Sequence, residues 1–82
     1  MGSVVKFPVG SPTDKAVGAR IRLWRDKRGM EQAELAKLLD MSPAEIRMIE
    51  AGRRHLGMAE IDATTRALRL PIWALVTDTA ST

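Results

Sequence analysis

Few side chains in this sequence are suited to catalysis or to metal binding. There are no cysteines, so a zinc site, a disulfide framework and a cysteine nucleophile are excluded. The one histidine, His55, is accompanied by no second metal ligand or nucleophile. No pair of acid–base groups, phosphate-binding loop or nucleophile arrangement appears either. The sequence therefore predicts a protein that is not an enzyme and that holds no metal ion or other cofactor.

The more prominent chemical groups are basic. Thirteen Lys and Arg against ten Asp and Glu give a net charge of +3, and the isoelectric point is near 10.0. The basic residues concentrate between residues 15 and 28 and again at Arg53, Arg54 and His55. This charge permits binding to a polyanion, but many ordinary domains are equally basic, and a basic run is usually a solvated helix face. Charge alone does not identify the partner.

Residues 30–52, between these two basic stretches, are the part around which we expect the rest of the chain to be arranged, and they begin with a short helix. Leu35, Leu38 and Leu39 have the i, i+3, i+4 spacing of one buried helix face. The helix ends at Asp40, a residue type that adopts the left-handed backbone conformation at modest cost.

A second short helix follows at once. Ser42 is a good N-cap, Pro43 suits the first helical position, and Glu45 stands three residues after the cap. Ile46 and Ile49 form its predicted buried face. Two helices joined by so short a turn have the helix-turn-helix form, whose second helix can enter a DNA major groove.

Three further helices surround this pair in the prediction. They cover residues 14–28, 57–69 and 72–76, with the first capped by Thr13 or Asp14. The predicted core positions of the two longer helices are Val17, Ile21, Trp24, Met58, Ile61, Thr65 and Leu68.

The length of 82 residues suffices for one small domain. We assign residues 14–77 to that domain, residues 1–13 to a flexible arm and residues 78–82 to a polar tail. Val4, Val5, Phe7 and Val9 leave open a second interpretation of the arm, a short strand that pairs with a partner chain. A domain this small buries only about 60% of its unfolded surface, so dimerisation would help to stabilise it.

No apolar run approaches the roughly 18 residues of a membrane span, and the start of the chain lacks the apolar core of a secretory signal. We therefore expect a cytoplasmic protein that does not contact the membrane.

The pattern of residues 29–52 resembles the Cro/C1-type (Xre-like) family of helix-turn-helix regulators. The match extends in register from about residue 17 to residue 76, nearly three quarters of the chain. The residues that carry it are Gly29, Met30, Gln32, Glu34, Leu35, Ala36, Met41, Ser42, Ile46, Ile49, Glu50 and Gly52. Asp40 departs from the pattern, since the family usually has glycine there. The resemblance implies an all-α, compact five-helix lambda-repressor-like domain with the helix-turn-helix at helices 2 and 3.

The resemblance also assigns roles to individual residues. Arg25 and Glu50 match a family ion pair that ties the first helix to the third. The residues expected to contact DNA phosphates are Gln32, Lys37, Ser42, Arg53, Arg54 and His55. Those expected to face the bases are Pro43, Ala44, Glu45 and Met48, with Arg47 at the flank.

This base-facing set differs from the Gln-, Asn-, Arg- and Ser-rich sets common in the family. Ala44 and Met48 could touch a thymine methyl group, and Glu45 could accept a hydrogen bond from cytosine N4. Glu45 and Glu50 against Arg47 leave the helix with net negative charge, which opposes the approach of phosphates. We therefore expect DNA binding with weak or shape-dependent sequence recognition, unless a partner protein or dimerisation adds contacts.

The resemblance implies a sequence-specific transcriptional regulator that binds double-stranded DNA as a homodimer at the nucleoid. Ile72, Trp73 and Val76 are the predicted dimer contacts, because Trp73 is a large aromatic residue at a position that is usually polar. The alternative is a helix-turn-helix module that mainly binds another protein, as an antitoxin or a cofactor of another regulator, with weak DNA binding. Trp73 and the unusual base-facing set favour that alternative.

Overall fold

The protein is built from five helices joined by short turns. The computed structural model describes residues 12–71 and 73–76, with the side chains of Pro12 and Val76 excepted. The helices are α1 (Pro12–Lys27), α2 (Gln32–Leu39), α3 (Pro43–Glu50), α4 (Met58–Leu68) and α5 (Trp73–Val76). No strand occurs within these described ranges. The predicted all-α, five-helix architecture is confirmed.

The first helix begins earlier than predicted. α1 starts at Pro12, two residues inside the segment assigned to the arm, because proline is favoured at the first helical position. The rest of the predicted arm, residues 1–11, lies outside the described residues, and so do Ile72 and the predicted tail.

The turn between α2 and α3 forms as the sequence predicts. Asp40 has φ 58° and ψ 44°, the left-handed conformation that ends α2. The following N–H, that of Met41, donates to the Ala36 carbonyl oxygen at 2.8 Å, which closes the helix end. Ser42 then caps α3, and Pro43 occupies its first turn. These local bonds fix the angle at which α3 leaves α2.

The core lies where α1 and α2 pack against the other helices. α1 contacts α3, α4 and α5, and α2 contacts α3 and α4. The buried apolar residues are Val17, Ile21, Leu35, Ala36, Ile46, Ile49, Leu56, Ile61, Leu68 and Leu75. Trp24 is half-buried against this core, with the cationic groups of Lys27 and Arg28 at 5.8 and 5.4 Å from its ring centre.

Gly18 permits the close packing of α1 on α3. A Cβ atom at this position would lie 2.1 Å from the carbonyl oxygen of Ile49, far inside van der Waals contact. The two helix backbones therefore approach more closely than any side chain at position 18 would allow.

Two predicted core positions are wrong. Leu38 is 60% exposed, because the buried arc of α2 is centred among Leu35, Ala36 and Leu39, and Leu38 lies about 100° from that centre. Met58 is 65% exposed, because it is the first residue of α4 and its side chain lies beyond the packed turns. The predicted core positions Ile61, Thr65 and Leu68 are confirmed as buried.

Candidate nucleic-acid interface

α3 presents one exposed face because its opposite face is buried. Ile46 and Ile49 are 1% and 2% exposed and hold the helix in the core. Of the residues predicted to face DNA bases, those that are exposed are Pro43, Ala44, Arg47 and Met48, and Glu45 is half-buried. Their spacing of three and four residues places Ala44, Arg47 and Met48 on the same side of the helix.

One carboxylate oxygen of Glu45 is already hydrogen-bonded, because Glu45 helps to cap its own helix. Its Oε1 atom accepts the backbone N–H of Ser42 at 2.8 Å, and the Ser42 hydroxyl oxygen accepts the backbone N–H of Glu45 at 3.1 Å. This reciprocal capping box fixes both side chains at the start of α3. A contact from Glu45 to a base would use Oε2, whereas the Ser42 hydroxyl group can still donate its own proton.

The predicted ion pair between Arg25 and Glu50 forms at the far end of α3. Arg25 donates from Nε to Glu50 Oε2 at 2.6 Å and from Nη2 to Oε1 at 3.1 Å, a two-bond geometry. The two side chains are only 10% and 5% exposed. The hydrogen bond to Glu50 raises the pKa of Arg25 above its ordinary value, against the opposing effect of burial.

Arg25 also donates from Nη1 to the carbonyl oxygen of Met30, at 2.7 Å. One guanidinium group thus connects α1, the turn before α2, and the end of α3. Because Glu50 is turned inward and paired, only Glu45 and Arg47 bring charge to the outer surface of α3. The net negative charge expected for the helix is therefore absent from its exposed face.

Gln32 joins the ion pair, which modifies its predicted role. Its Nε2 atom donates to Glu50 Oε1 at 3.0 Å, so the side chain is oriented by α3. It lines an open groove between the starts of α2 and α3, together with Arg22 and Arg47. Gln32 retains a second N–H group for a phosphate, and the lining of the groove includes the positive charges of Arg22 and Arg47 and the negative charge of Glu31.

The basic loop after α3 is held by acidic residues from two other elements. Arg54 donates from Nη2 to Glu60 Oε2 at 3.0 Å, and His55 Nδ1 lies 2.8 Å from Asp14 Oδ1. Arg53, in contrast, is exposed. Of the three predicted phosphate contacts in this loop, Arg53 and His55 are exposed, with 62% of the His55 side chain accessible, while Arg54 is half-buried against the start of α4.

Glu60 organises the junction between this loop and α4. Its Oε1 atom accepts the backbone N–H of Gly57 at 3.1 Å, while Oε2 accepts from Arg54. The bond from Gly57 is the main reason that the pKa of the Glu60 carboxyl group is lowered, and Arg54 lowers it further. The loop therefore has a defined shape before any ligand binds.

The remaining predicted residues lie on other surfaces. Lys37 is exposed on α2, and Trp73 is 64% exposed on α5, which packs on α1 and α4. Ile72 and the side chain of Val76, the other predicted dimer contacts, lie outside the described part of the chain.

Within residues 12–71 and 73–76, no group of three or more His, Cys, Asp or Glu side chains could hold a metal ion. None of the described helices has the length and apolar character to cross a membrane.

The comparison with protein families agrees with this geometry. A family described as a helix-turn-helix domain matches residues 16–73. The chain belongs to this helix-turn-helix family. The resemblance to Cro/C1-type proteins is confirmed, and with it the lambda-repressor-like fold.

An uncharacterized HTH-type transcriptional regulator from Sinorhizobium medicae is 32% identical over 62 residues, which are 76% of this chain and 45% of that protein. The chain thus spans about half the length of the curated relatives it matches.

Two solved structures of similar helix-turn-helix proteins support the fold. The clp gene regulator ClgR from Corynebacterium glutamicum is 25% identical with a TM-score of 0.76, over 78% of this chain and 68% of that one. The restriction-modification controller protein C.AhdI from Aeromonas hydrophila is 26% identical with a TM-score of 0.72, over 76% of this chain and 94% of that one.

Sequence reasoning missed several residues that shape this helix-turn-helix domain. Gly18 lies on the buried side of α1, where it packs against α3. Because glycine is unfavourable inside helices, a glycine at this position of the sequence could have indicated close helix packing. The partnerships of Asp14 with His55 and of Glu60 with Arg54 carried no signal, because only the fold brings these residues together.

Proposed function

We propose that this protein is a sequence-specific DNA-binding transcriptional regulator that inserts α3 into the major groove. The observation that carries the proposal is the exposed face of α3, whose direction is set by the capping box at one end and by the Arg25–Glu50 ion pair at the other. Preorganised recognition helices bind DNA without first having to order themselves. The regulators among its relatives support this role. We expect such a protein to act in the cytoplasm, at the nucleoid.

Phosphate contacts supply most of the affinity in this proposal. Gln32 and Ser42 lie at the N-terminal ends of α2 and α3, where N–H groups and helix dipoles also favour phosphate. Lys37 and Arg53 add positive charge at exposed positions. Arg54 contributes mainly by shaping the loop, since Glu60 already neutralises its charge. His55 shares this supporting role through Asp14.

Base recognition comes from a small set of contacts on α3. Ala44 and Met48 provide apolar surface for thymine methyl groups, and Glu45 accepts from cytosine N4 through Oε2. Arg47 is the one residue of this set that can form two hydrogen bonds to guanine. Each well-formed contact of that kind discriminates by roughly 1–3 kcal/mol, so we expect modest specificity per half-site. Homodimerisation, with Trp73 as an interface residue, would double the number of base-reading helices.

A second candidate function is binding to another protein. The exposed apolar side chains of Trp73 and Met48, 64% and 47% exposed, favour it, because large exposed apolar residues commonly anchor protein interfaces. In this case the protein would itself act as an antitoxin or as a cofactor of another regulator, and its DNA binding would be weak.

The dependence of duplex affinity on salt separates the two functions. A regulator that binds several phosphates loses affinity steeply as salt rises, and Arg53→Ala should reduce the logarithmic slope by about 1, the share of one phosphate. Arg66→Ala is the matched control, since it removes the same charge from a residue of α4 paired with Asp62. A shallow slope that neither substitution alters would favour the protein-binding function.

A further inference from the structure

An apolar groove lies between α1 and the segment that connects α3 to α4. It has a volume of about 620 Å³, within the range of sites that enclose a ligand or several side chains. Its apolar lining comes from Ala16 and Val17 of α1 and from Leu56, Met58 and Ile61 on the opposite side. It is separate from the groove that holds Gln32 and from the outer face of α3.

The charged residues at this groove already have partners. Asp14 lies beside His55, and Arg54 donates from Nη2 to Glu60, so each charge faces one of opposite sign. The buried Nη1 atom of Arg54 has no hydrogen-bond partner among the described residues and could donate to a polar atom of the occupant, such as a backbone carbonyl oxygen. An occupant of this site must chiefly supply apolar surface. Such an occupant would also cover Met58, the exposed methionine at the start of α4.

We propose that residues 4–9 of this same chain dock into the groove. The chain enters α1 at Pro12, and Thr13 and Asp14 line the groove, so the preceding residues start at its rim. Five of the six residues from 4 to 9 are apolar, and none is acidic. Gly10, two residues before Pro12, gives the chain the conformational freedom to turn back along α1.

The spacing of the apolar residues fits an extended segment in this groove. Val5, Phe7 and Val9 alternate, so in an extended chain they share one face, with Lys6 on the other. The part of α1 that lines the groove, residues 13–20, is about 10 Å long. Phe7 lies five residues before Pro12 and can reach about 17 Å, which is enough to span that length.

The tether favours an occupant from the same chain. A short linker gives the segment a millimolar effective concentration at the groove, which a separate partner would rarely match. Phe7 is the only phenylalanine and serves as the anchor, since an aromatic side chain buries a large apolar area. Because His55 and Leu56 form part of the groove wall, the docked segment also holds the basic loop after α3.

The test uses the full 82-residue chain and a double-mutant cycle. Phe7→Ala and Met58→Ala are made singly and together, and thermal unfolding is measured for each. Phe7→Ala should lower Tm by about 4–8 °C, the shift that a loss of ~1 kcal/mol causes in a domain of this size. Met58→Ala should lower Tm in the parent chain and have little effect in the Phe7→Ala background.

Leu38→Ala is the matched control for this cycle, because Leu38 is 60% exposed and does not line the groove. Its effect on Tm should be the same with and without Phe7. Intramolecular nuclear Overhauser effects should be observed between the ring protons of Phe7 and the methyl groups of Val17 and Ile61. Additive Tm shifts without these effects would overturn the proposal. Nuclear Overhauser effects seen only between an isotope-labelled and an unlabelled molecule would also overturn the proposal, because the segment in the groove would then belong to a second copy of the chain.

Discussion

Removal of Arg25 should destabilise the protein more than any other single charge deletion that leaves the helices unaltered. Arg25→Met keeps the apolar stem but leaves Glu50, 5% exposed, with Gln32 as its remaining side-chain partner. Uncompensated buried charge of this kind costs about 3–5 kcal/mol. In a domain of this size that corresponds to a fall in Tm of at least about 12 °C. Replacing Glu50 as well, by methionine, should recover part of the loss, because no buried charge then remains unpaired.

Urea unfolding of the single and double variants measures this coupling. Arg22→Met is the matched control, since Arg22 is 69% exposed, 4.0 Å from Asp26, and should change stability by less than about 0.5 kcal/mol. Decreases in stability for Arg25→Met and Glu50→Met that simply add in the double variant would refute the interpretation of the pair as one buried unit. A decrease below about 1 kcal/mol for Arg25→Met would refute it as well.

Three other substitutions test the structure at separate points. Gly18→Ala should lower Tm strongly, because the new methyl group would lie 2.1 Å from the Ile49 carbonyl oxygen. Ser42→Ala should cost about 0.5–2 kcal/mol in urea unfolding through loss of the α3 cap. Glu60→Gln should lower Tm at neutral pH and make Tm less dependent on pH in acid. The pKa of Glu60 is lowered by folding, so its stabilisation is present above about pH 4.5 and is lost as pH falls through the folded-state pKa.

Each of these has its own contrary result, and Gly18→Ala also has a matched control. Gly57→Ser adds a Cβ where no atom lies within 4 Å, and should leave stability unchanged or raise it. A Gly18→Ala protein as stable as the parent would mean that α1 and α3 are farther apart than the structure places them. An unchanged stability for Ser42→Ala would contradict the cap. Parallel pH curves for the parent and Glu60→Gln would show that this carboxylate does not contribute.

The parts of the fold governed by neighbouring residues could be predicted from the sequence. Asp40 ends α2 and Ser42 with Glu45 starts α3 because turn and capping bonds join residues three to five positions apart. Ile46 and Ile49 were identified as buried for a related reason, since a spacing of three residues places both on one face of α3. The Arg25–Glu50 pair spans 25 positions and came from family resemblance instead.

Features that depend on packing between distant segments could not be predicted. Leu38 has the same chemical character as Leu39, and only the placement of α2 against α3 and α4 decides which of them is exposed. Arg54 was expected at a phosphate as a basic loop residue, yet the start of α4 brings Glu60 to it. The carboxylate that meets His55, that of Asp14, lies 41 positions away. These contacts reflect tertiary geometry that no local pattern encodes.

The most direct test of the central claim is selection of bound duplexes from a random DNA pool at moderate salt, with the mass of the protein recorded in the same buffer. We expect enrichment of an inverted repeat with half-sites about one helical turn apart, and a dimeric mass. A Glu45→Ala protein should enrich a different base at the position that Glu45 contacts, with the same half-site spacing. If no sequence is enriched, α3 does not recognise bases, and the proposal of a sequence-specific regulator is contradicted.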